Sequence, residues 1–282
     1  RNVNLLSESI KLVYVFDGEP PKLKAGTHRI RSEGRELARE KYEEARQEED
    51  IEAMKRYSSL LIKLDSDMVR ESKELLEAMG IAVVQAPGEG EAEAAYLSRV
   101  KTSFGVVSQD YDSLLFGATR LIRNLGLARK RKTISGWQEI RPELIDLHQV
   151  LNILGINLDQ LICIGILVGT DYNPRGILGI GQKKSLEIVK KYKQPVLIFK
   201  NVEEQIMSMP EKDRFDWQEI FELFHKPRVV NADFRFGKVD EKKIKHILVE
   251  KHDFSEERVE KQLEKLREVK EKKKQKALGD WV

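Results

Sequence analysis

The chain has 282 residues, enough for one large domain or two small ones and for a sizeable core. Charged residues make up 34% of it but the net charge is only +3, so a nucleic-acid surface has to come from local segregation of charge. The single cysteine, Cys163, sits in an apolar run at 161–168. This excludes a disulfide framework, favours an intracellular protein, and makes the thiol a buried small hydrophobe. No apolar stretch reaches membrane-span length, and the first residues do not read as a signal peptide.

In chain order, RNVNLL reads as the inside of a helix, with no initiator Met before it. LVYVF at 12–16 is an apolar run of strand length that ends on Asp17, followed by Gly18 and the turn Pro20-Pro21. From 22 to about 79 the composition is charged and helix-favouring. Leu60, Leu61 and Leu64, then Met68, Leu75 and Leu76, recur at helical spacing. Residues 24–46 are poor in aliphatics and rich in both charges. They cannot bury a full face, so they are expected to project as an exposed helical insertion whose charges are mostly just solvated. Gly80 is placed to close the second helix.

A second short strand is expected at 81–84. Ala86-Pro87-Gly88 then opens a helix start crowded with Glu89, Glu91 and Glu93. One or two of these can simply answer the positive end of a helix. On an ideal helix Glu89 and Glu93 share a face while Glu91 points away. Glu89 and Glu91 converge only if Glu89 precedes the regular helix, and spacing alone leaves the pairing open.

The densest acidic motif is FGVVSQDYDSLLFG at 104–117. A strand at 104–107 leads out to Asp110 and Asp112, beside Leu114, Leu115 and Phe116. Ligands of open α/β sheets collect beyond the carboxyl ends of strands. Aspartates held against apolar neighbours are costly unless neutralised. No Lys or Arg lies between Lys101 and Arg120, so a divalent cation with oxygen ligands, Mg²⁺ first, is the natural candidate. The alternative is a solvated Asp-x-Asp turn.

Further on, 120–124 reads as a strand, ARKRK at 128–132 as a basic loop, and 133–140 as the rest of a hairpin. Pro142 is expected to open a helix running towards Leu154. Residues 158–168 form a buried helix that ends at Gly169-Thr170-Asp171. PRGILGIGQKKS at 174–185 fails as a nucleotide P-loop, because Gln182 and Lys183 stand between the last Gly and Lys184-Ser185. It fails the dinucleotide fingerprint too, since Lys184 occupies the third Gly position. What remains is a tight hairpin at Gly179 and Gly181, followed by Lys183, Lys184 and a helix expected at 186–192. It suits a DNA phosphate held without base reading. Its plain alternative is a Gly-rich turn between helices. Residues 195–266 read as helical with polar breaks near 227–231. The lysine-rich tail is expected to be solvated or disordered, and it ends in QKALGDWV. Leu278 and Trp281 there have no core to join, which suggests a docking peptide.

Together these blocks resemble the flap endonuclease family, its archaeal branch most. VFDGEPP, APGEGEAEAAYL, SQDYDSLLFG and LVGTDYN match the family's acidic blocks in order and spacing, and GILGIG resembles its helix–hairpin–helix DNA clamp. The resemblance spans nearly the whole chain. It implies an α/β fold: a mostly parallel central sheet flanked by helices, an inserted helical arch at about 22–65, and a helical DNA-binding part. The implied domains are a nuclease core at 1–170, a DNA-binding subdomain at 171–266 and a basic tail at 267–282.

The resemblance further implies that Asp17, Glu89, Glu91, Asp110, Asp112 and Asp171 hold two Mg²⁺ ions, with Mn²⁺ as a possible substitute, about 3.5–4 Å apart. Glu93 is left as a helix-face charge. Lys24 and Arg31 match basic positions that meet the scissile phosphate. Gly179, Gly181, Lys183 and Lys184 would grip duplex DNA, with a monovalent cation at the hairpin. Gln275, Leu278, Trp281 and Val282 resemble the sliding-clamp (PCNA) binding box, with Val282 where the final aromatic usually stands. The implied activity is 5′ flap endonuclease and 5′ exonuclease in replication and repair, on branched or flapped DNA. The implied place is intracellular: cytoplasm and nucleoid, or nucleus in a eukaryote. The alternative is a non-catalytic branched-DNA-binding partner of the clamp. Family members begin with a further segment carrying another metal-binding Asp, so the resemblance also implies that the chain is truncated or recorded in part.

Overall fold

The computed structural model describes the chain except residues 127–129, 134–135 and 280–282; at 28, 130–133 and 269–279 it describes the backbone alone. A short helix, α1 (Asn2–Ser7), leads into the first apolar run, β1 (Val13–Phe16). After one 3-10 turn at Lys22–Lys24, α2 (Ala25–Gln47) is followed by α3 (Ile51–Leu61), which packs along it. Small residues Ala38 and Ala45 are buried on α2, while Leu37, Ile51 and Leu60 stay exposed. That is what an aliphatic-poor helix pair can achieve. Asp50 starts α3 and Asp65 starts α4 (Ser66–Ala78), each carboxylate accepting from a first-turn amide. Gly80, at φ +75°, ends α4 in the left-handed conformation that glycine tolerates best.

β2 (Ala82–Gln85) then lies parallel to β1, with Val13 opposite Ala82 and Phe16 opposite Gln85. Next come α5 (Gly90–Arg99), β3 (Val106–Val107), α6 (Asp112–Leu115), β4 (Arg120–Arg123), the hairpin β5 (Lys130–Thr133) and β6 (Gly136–Glu139), and β7 (Glu143–Asp146). β3 is parallel to β4, and β7 is antiparallel to β4. The fold is α/β as expected, with the described strands in three short sheets, and α5 packs against β1 and β3 of the first two. The helix expected to open at Pro142 is corrected to a strand followed by α7 (Leu147–Leu154). Pro142 precedes the strand, where it withholds no ladder hydrogen bond. Asp146 ends that strand and caps the helix, accepting from Gln149 N–H at 3.1 Å.

The rest is helical: α8 (Leu158–Val168), α9 (Gln182–Tyr192), α10 (Pro195–Asn201), α11 (Glu203–Ser208), α12 (Trp217–His225), α13 (Glu241–Lys245) with a π turn after it, and α14 (Glu256–Gly279). No single helix among the described residues is long and apolar enough to cross a membrane. α8 is the central buried helix: Ile162, Cys163, Ile166 and Leu167 are fully enclosed and pack with Ala95, Phe116, Val189, Phe199 and Phe224. Truncating Ile166 or Leu167 to Ala would cost about 2–5 kcal/mol. A second cluster joins Val3, Ala78, Ile244, Val259 and Leu263. The lysine-rich tail continues α14 as far as Gly279, so its backbone is helical where irregular chain was expected. Trp281 and Val282 lie outside the described residues, as do the side chains of Gln275 and Leu278 and residues 127–129 of the basic stretch.

Candidate active site

Asp17 follows the last residue of β1, and its carboxylate accepts from the Gly90 amide at 2.7 Å. The turn beneath it is tight. Gly18 N–H donates to the Gly88 carbonyl at 2.6 Å, and a Cβ on Gly18 would stand 2.2 Å from the Ala86 carbonyl oxygen. The Gln85 amide group donates to the carbonyls of Asp17 at 2.8 Å and Ala86 at 3.1 Å, locking the ends of β1 and β2 together. Glu89 is the N-cap of α5, with an extended backbone (φ −69°, ψ 129°), and Glu91 lies in the first turn. Glu89 therefore precedes the regular helix, as it must if it is to share a site with Glu91.

The Ser108 hydroxyl lies between two of the acids. It donates to the Glu91 carboxylate at 2.6 Å and accepts from the Asp110 amide at 3.1 Å. Asp112 opens α6. Asp171 stands just beyond α8, in a turn held by Asn173. The Asn173 side-chain oxygen accepts from the Thr170 amide and hydroxyl, while its NH₂ donates to the Ile166 carbonyl at 2.7 Å.

The base of the α2–α3 pair closes on these acids. Lys24 Nζ lies 2.5 Å from Glu89 Oε2 and 3.1 Å from Asp171 Oδ2. Arg31 reaches Asp171 at 3.3 Å, and the Thr27 hydroxyl donates to the Asp171 carbonyl. The Gly-rich hairpin is separate and open. Leu178 is 93% exposed at its tip, Gly179 has φ +79°, and Gly181 is the N-cap of α9 with no side-chain cap. α9 begins at Gln182 rather than at the expected 186, which puts Lys183 and Lys184 in its first turn, both exposed. Gln and Lys are good helix formers, so the helix starts as soon as the glycines end.

A family model described as the XPG I-region matches residues 80–171, which hold five of these acids. Flap endonuclease 1 of Sulfurisphaera tokodaii is 47% identical over 292 residues, spanning 100% of this chain and 82% of its own length. The chain belongs to the flap endonuclease 1 family. Flap endonuclease-1 from Methanococcus jannaschii superimposes with a TM-score of 0.70 at 38% identity, covering 96% of this chain and 80% of that one. Human GEN1 in complex with Holliday junction DNA gives 0.62 at 25% identity, over 94% and 62% of the two chains. As a flap endonuclease, this chain is a metal-dependent, structure-specific nuclease that hydrolyses DNA phosphodiesters.

The electrostatics of the acid cluster follow from crowding carboxylates in a half-buried cleft. Burial pushes the Glu91 carboxyl up to about 7; the Ser108 hydrogen bond opposes the rise, and the charges of Asp112 and Asp110 add to it. Burial likewise raises Asp112 to about 6, with Asp171 and Asp110 adding their repulsion. Burial and the charges of Glu89 and Asp112 push the Tyr172 phenol upward. Lys24 loses hydration on burial, but its bonds to Glu89 and Asp171 prevail and raise it. Among the described residues no three acids converge closely enough to form a ready coordination shell; the Lys24 ammonium instead bridges Glu89 and Asp171. The donor set still fits hard divalent ions: carboxylate oxygens whose mutual repulsion favours added positive charge.

Glu93 needs correction. Taken as a helix-face charge, it is fully buried, and its Oε2 accepts from the Val230 amide at 2.9 Å. The helix face it shares with Glu89 is covered by the irregular chain after α12, whose position no local pattern announces. Sequence reasoning also passed over Ser108, Gln85 and Thr27. Their types carry no metal signal, and only Ser108 lay inside a motif already singled out.

Proposed function

We propose that Asp17, Glu89, Glu91, Asp110, Asp112 and Asp171 hold two divalent ions, Mg²⁺ or in its place Mn²⁺, and that the chain cleaves 5′ flaps and 5′ ends of branched DNA. The observation that supports this best is the bridge from Lys24 to both Glu89 and Asp171, which brings the base of the arch to the acids. Held there, the ions would supply activation of a water and stabilisation of the leaving oxygen. Lys24 and Arg31 offset charge on the phosphoryl oxygens. Asp17 is oriented by the Gly90 amide, and Ser108 fixes Glu91 against the Asp110 turn.

The division of labour runs along the chain: a nuclease core at 1–170 with its arch at 22–65, a DNA-binding part at 171–266 and a docking tail at 267–282. Gly179, Gly181, Lys183 and Lys184 hold the duplex backbone, with a monovalent cation at the hairpin. Gln275, Leu278, Trp281 and Val282 dock on the sliding clamp, and action on DNA places the protein inside the cell. The test is cleavage of 5′-flap, nicked and single-stranded DNA with and without Mg²⁺. Flap cleavage that needs the metal supports the reading, and equal cleavage in chelator sinks it. Deleting 275–282 should abolish clamp binding and leave flap cleavage by the enzyme alone unchanged.

A further inference from the structure

The geometry points to Glu93 as a positioning residue that clamps the chain after α12 against the turn carrying Glu89 and Asp17; the inference rests on the metal-site reading above. Glu93 sits one helical turn beyond Glu89, and its amide donates to the Glu89 carbonyl at 3.1 Å. Its side chain is 0% exposed and holds the Val230 amide. Residues 227–240 form no helix or strand, so Val230 N–H has no ladder to join and finds this carboxylate instead. The same stretch touches the site turn twice more. Arg228 reaches Glu19 at 3.4 Å, and its backbone oxygen lies 3.4 Å from where a Gly88 Cβ would be. Gly88 in turn accepts from Gly18, the neighbour of Asp17. Beside these contacts is a cavity of about 300 Å³, lined by Glu89 and Gly88 on one side and by Pro227 and Arg228 of the same stretch on the other.

A carboxylate is an expensive anchor in this place. Its Oε1 is buried and has no hydrogen-bond partner among the described residues. A leucine of similar volume would satisfy packing alone, so an acceptor there serves the Val230 amide. Groups that orient metal ligands from behind typically matter about 10–100-fold in metal affinity or activity.

Three variants test this: Glu93→Gln, which keeps the accepting oxygen, Glu93→Leu, which removes it, and Val230→Pro, which removes the donor. The readouts are Mg²⁺ binding by calorimetry without DNA, the single-turnover flap-cleavage rate on saturating DNA, and hydrogen exchange of the Val230 amide. The amide should exchange slowly in the wild type and Glu93→Gln, and fast in Glu93→Leu. Glu93→Leu and Val230→Pro should weaken Mg²⁺ binding and slow cleavage by about tenfold, with DNA affinity in chelator unchanged. Glu93→Gln should stay within about twofold of the wild type. Wild-type Mg²⁺ binding and cleavage in Glu93→Leu, or an equal loss in Glu93→Gln, would overturn the positioning role alone. A wild-type protein that binds no Mg²⁺ would instead overturn the metal reading, and this proposal with it. Should Glu93→Leu fail to fold, Glu93→Gln and Val230→Pro still decide the matter.

Discussion

In the proposed function the acid site and the hairpin at 176–181 meet the same ligand, a DNA backbone, with opposite materials. The hairpin offers backbone amides at the start of α9 and two exposed lysines, with Leu178 in solvent at its tip while Ile177 and Ile180 anchor it in the core. The acid site gathers side chains from the end of β1, α5, α6, the end of α8 and the arch base, and buries Glu91 and Asp112 enough that neighbouring acids add to the rise that burial causes. A phosphate grip built from a local turn can be weakened in small steps. A site made of mutually repelling carboxylates works as a unit, because removing one changes the charge that all the others were placed to balance.

The sharpest way to break this comparison is Asp110→Ala. It should lower flap cleavage by about 10²–10³-fold, the scale on which one preorganised charged group is felt. Flap binding should change little, since a metal ligand serves the transition state more than DNA affinity. Single-turnover kinetics beside a binding isotherm would show it, and a wild-type rate in Mg²⁺ would remove Asp110 from the site. Next in size is Lys24→Met, which strips Glu89 and Asp171 of their common cation. Cleavage should fall by about a hundredfold with the DNA dissociation constant nearly unchanged. A loss confined to DNA affinity would make Lys24 an ordinary backbone contact, like those of the hairpin.

On the other side of the comparison, replacing Lys183 and Lys184 together by Ala should weaken duplex binding on the order of tenfold, alike for all sequences. It should also reduce the slope of log affinity against log salt by about two. A loss restricted to one sequence would contradict a backbone grip. The smallest effect concerns pH. Glu91 titrates near 7 in the folded protein against an ordinary 4.5, mainly through burial, so the fold retains a proton that the unfolded chain releases. Between those values the metal-free protein loses stability as pH rises, and below about 4.5 the effect vanishes because both states are protonated. Asp112 acts in the same direction between 3.8 and about 6. Mg²⁺ binding needs ionised carboxylates and should strengthen over the same range. Thermal melts in chelator should show a fall of a few degrees towards neutral pH, and Glu91→Gln should flatten it.

Much of this contrast was legible in the sequence, because strands that end on acids and a Gly-rich turn before lysines are local patterns. The runs at 12–16 and 158–168 became a strand and a helix within a residue of their expected ends. What escaped depends on distant partners. Glu93 looks like a solvated charge until Val230, 137 positions later, is laid over it. Whether Glu89 could join Glu91 hung on the backbone dihedrals of one N-cap residue. β7 was hidden because Pro142 begins strands and helices alike, and only pairing with β4 decides between them.

The crowding around Gly18 bears on how this enzyme would look to genetics. Even a single methyl group there would have to displace the carbonyls of Ala86 and Pro87, both backbone atoms with no free rotation to yield. Moving them shifts the turn that delivers Glu89 and loosens the seat of Asp17. In a screen scored only by survival, Gly18→Ala would be as damaging as the loss of a carboxylate, though glycine donates nothing to the reaction. Intolerance to mutation therefore maps the scaffold of this site as faithfully as its chemistry, and a ranked list of lethal positions would not tell the two apart.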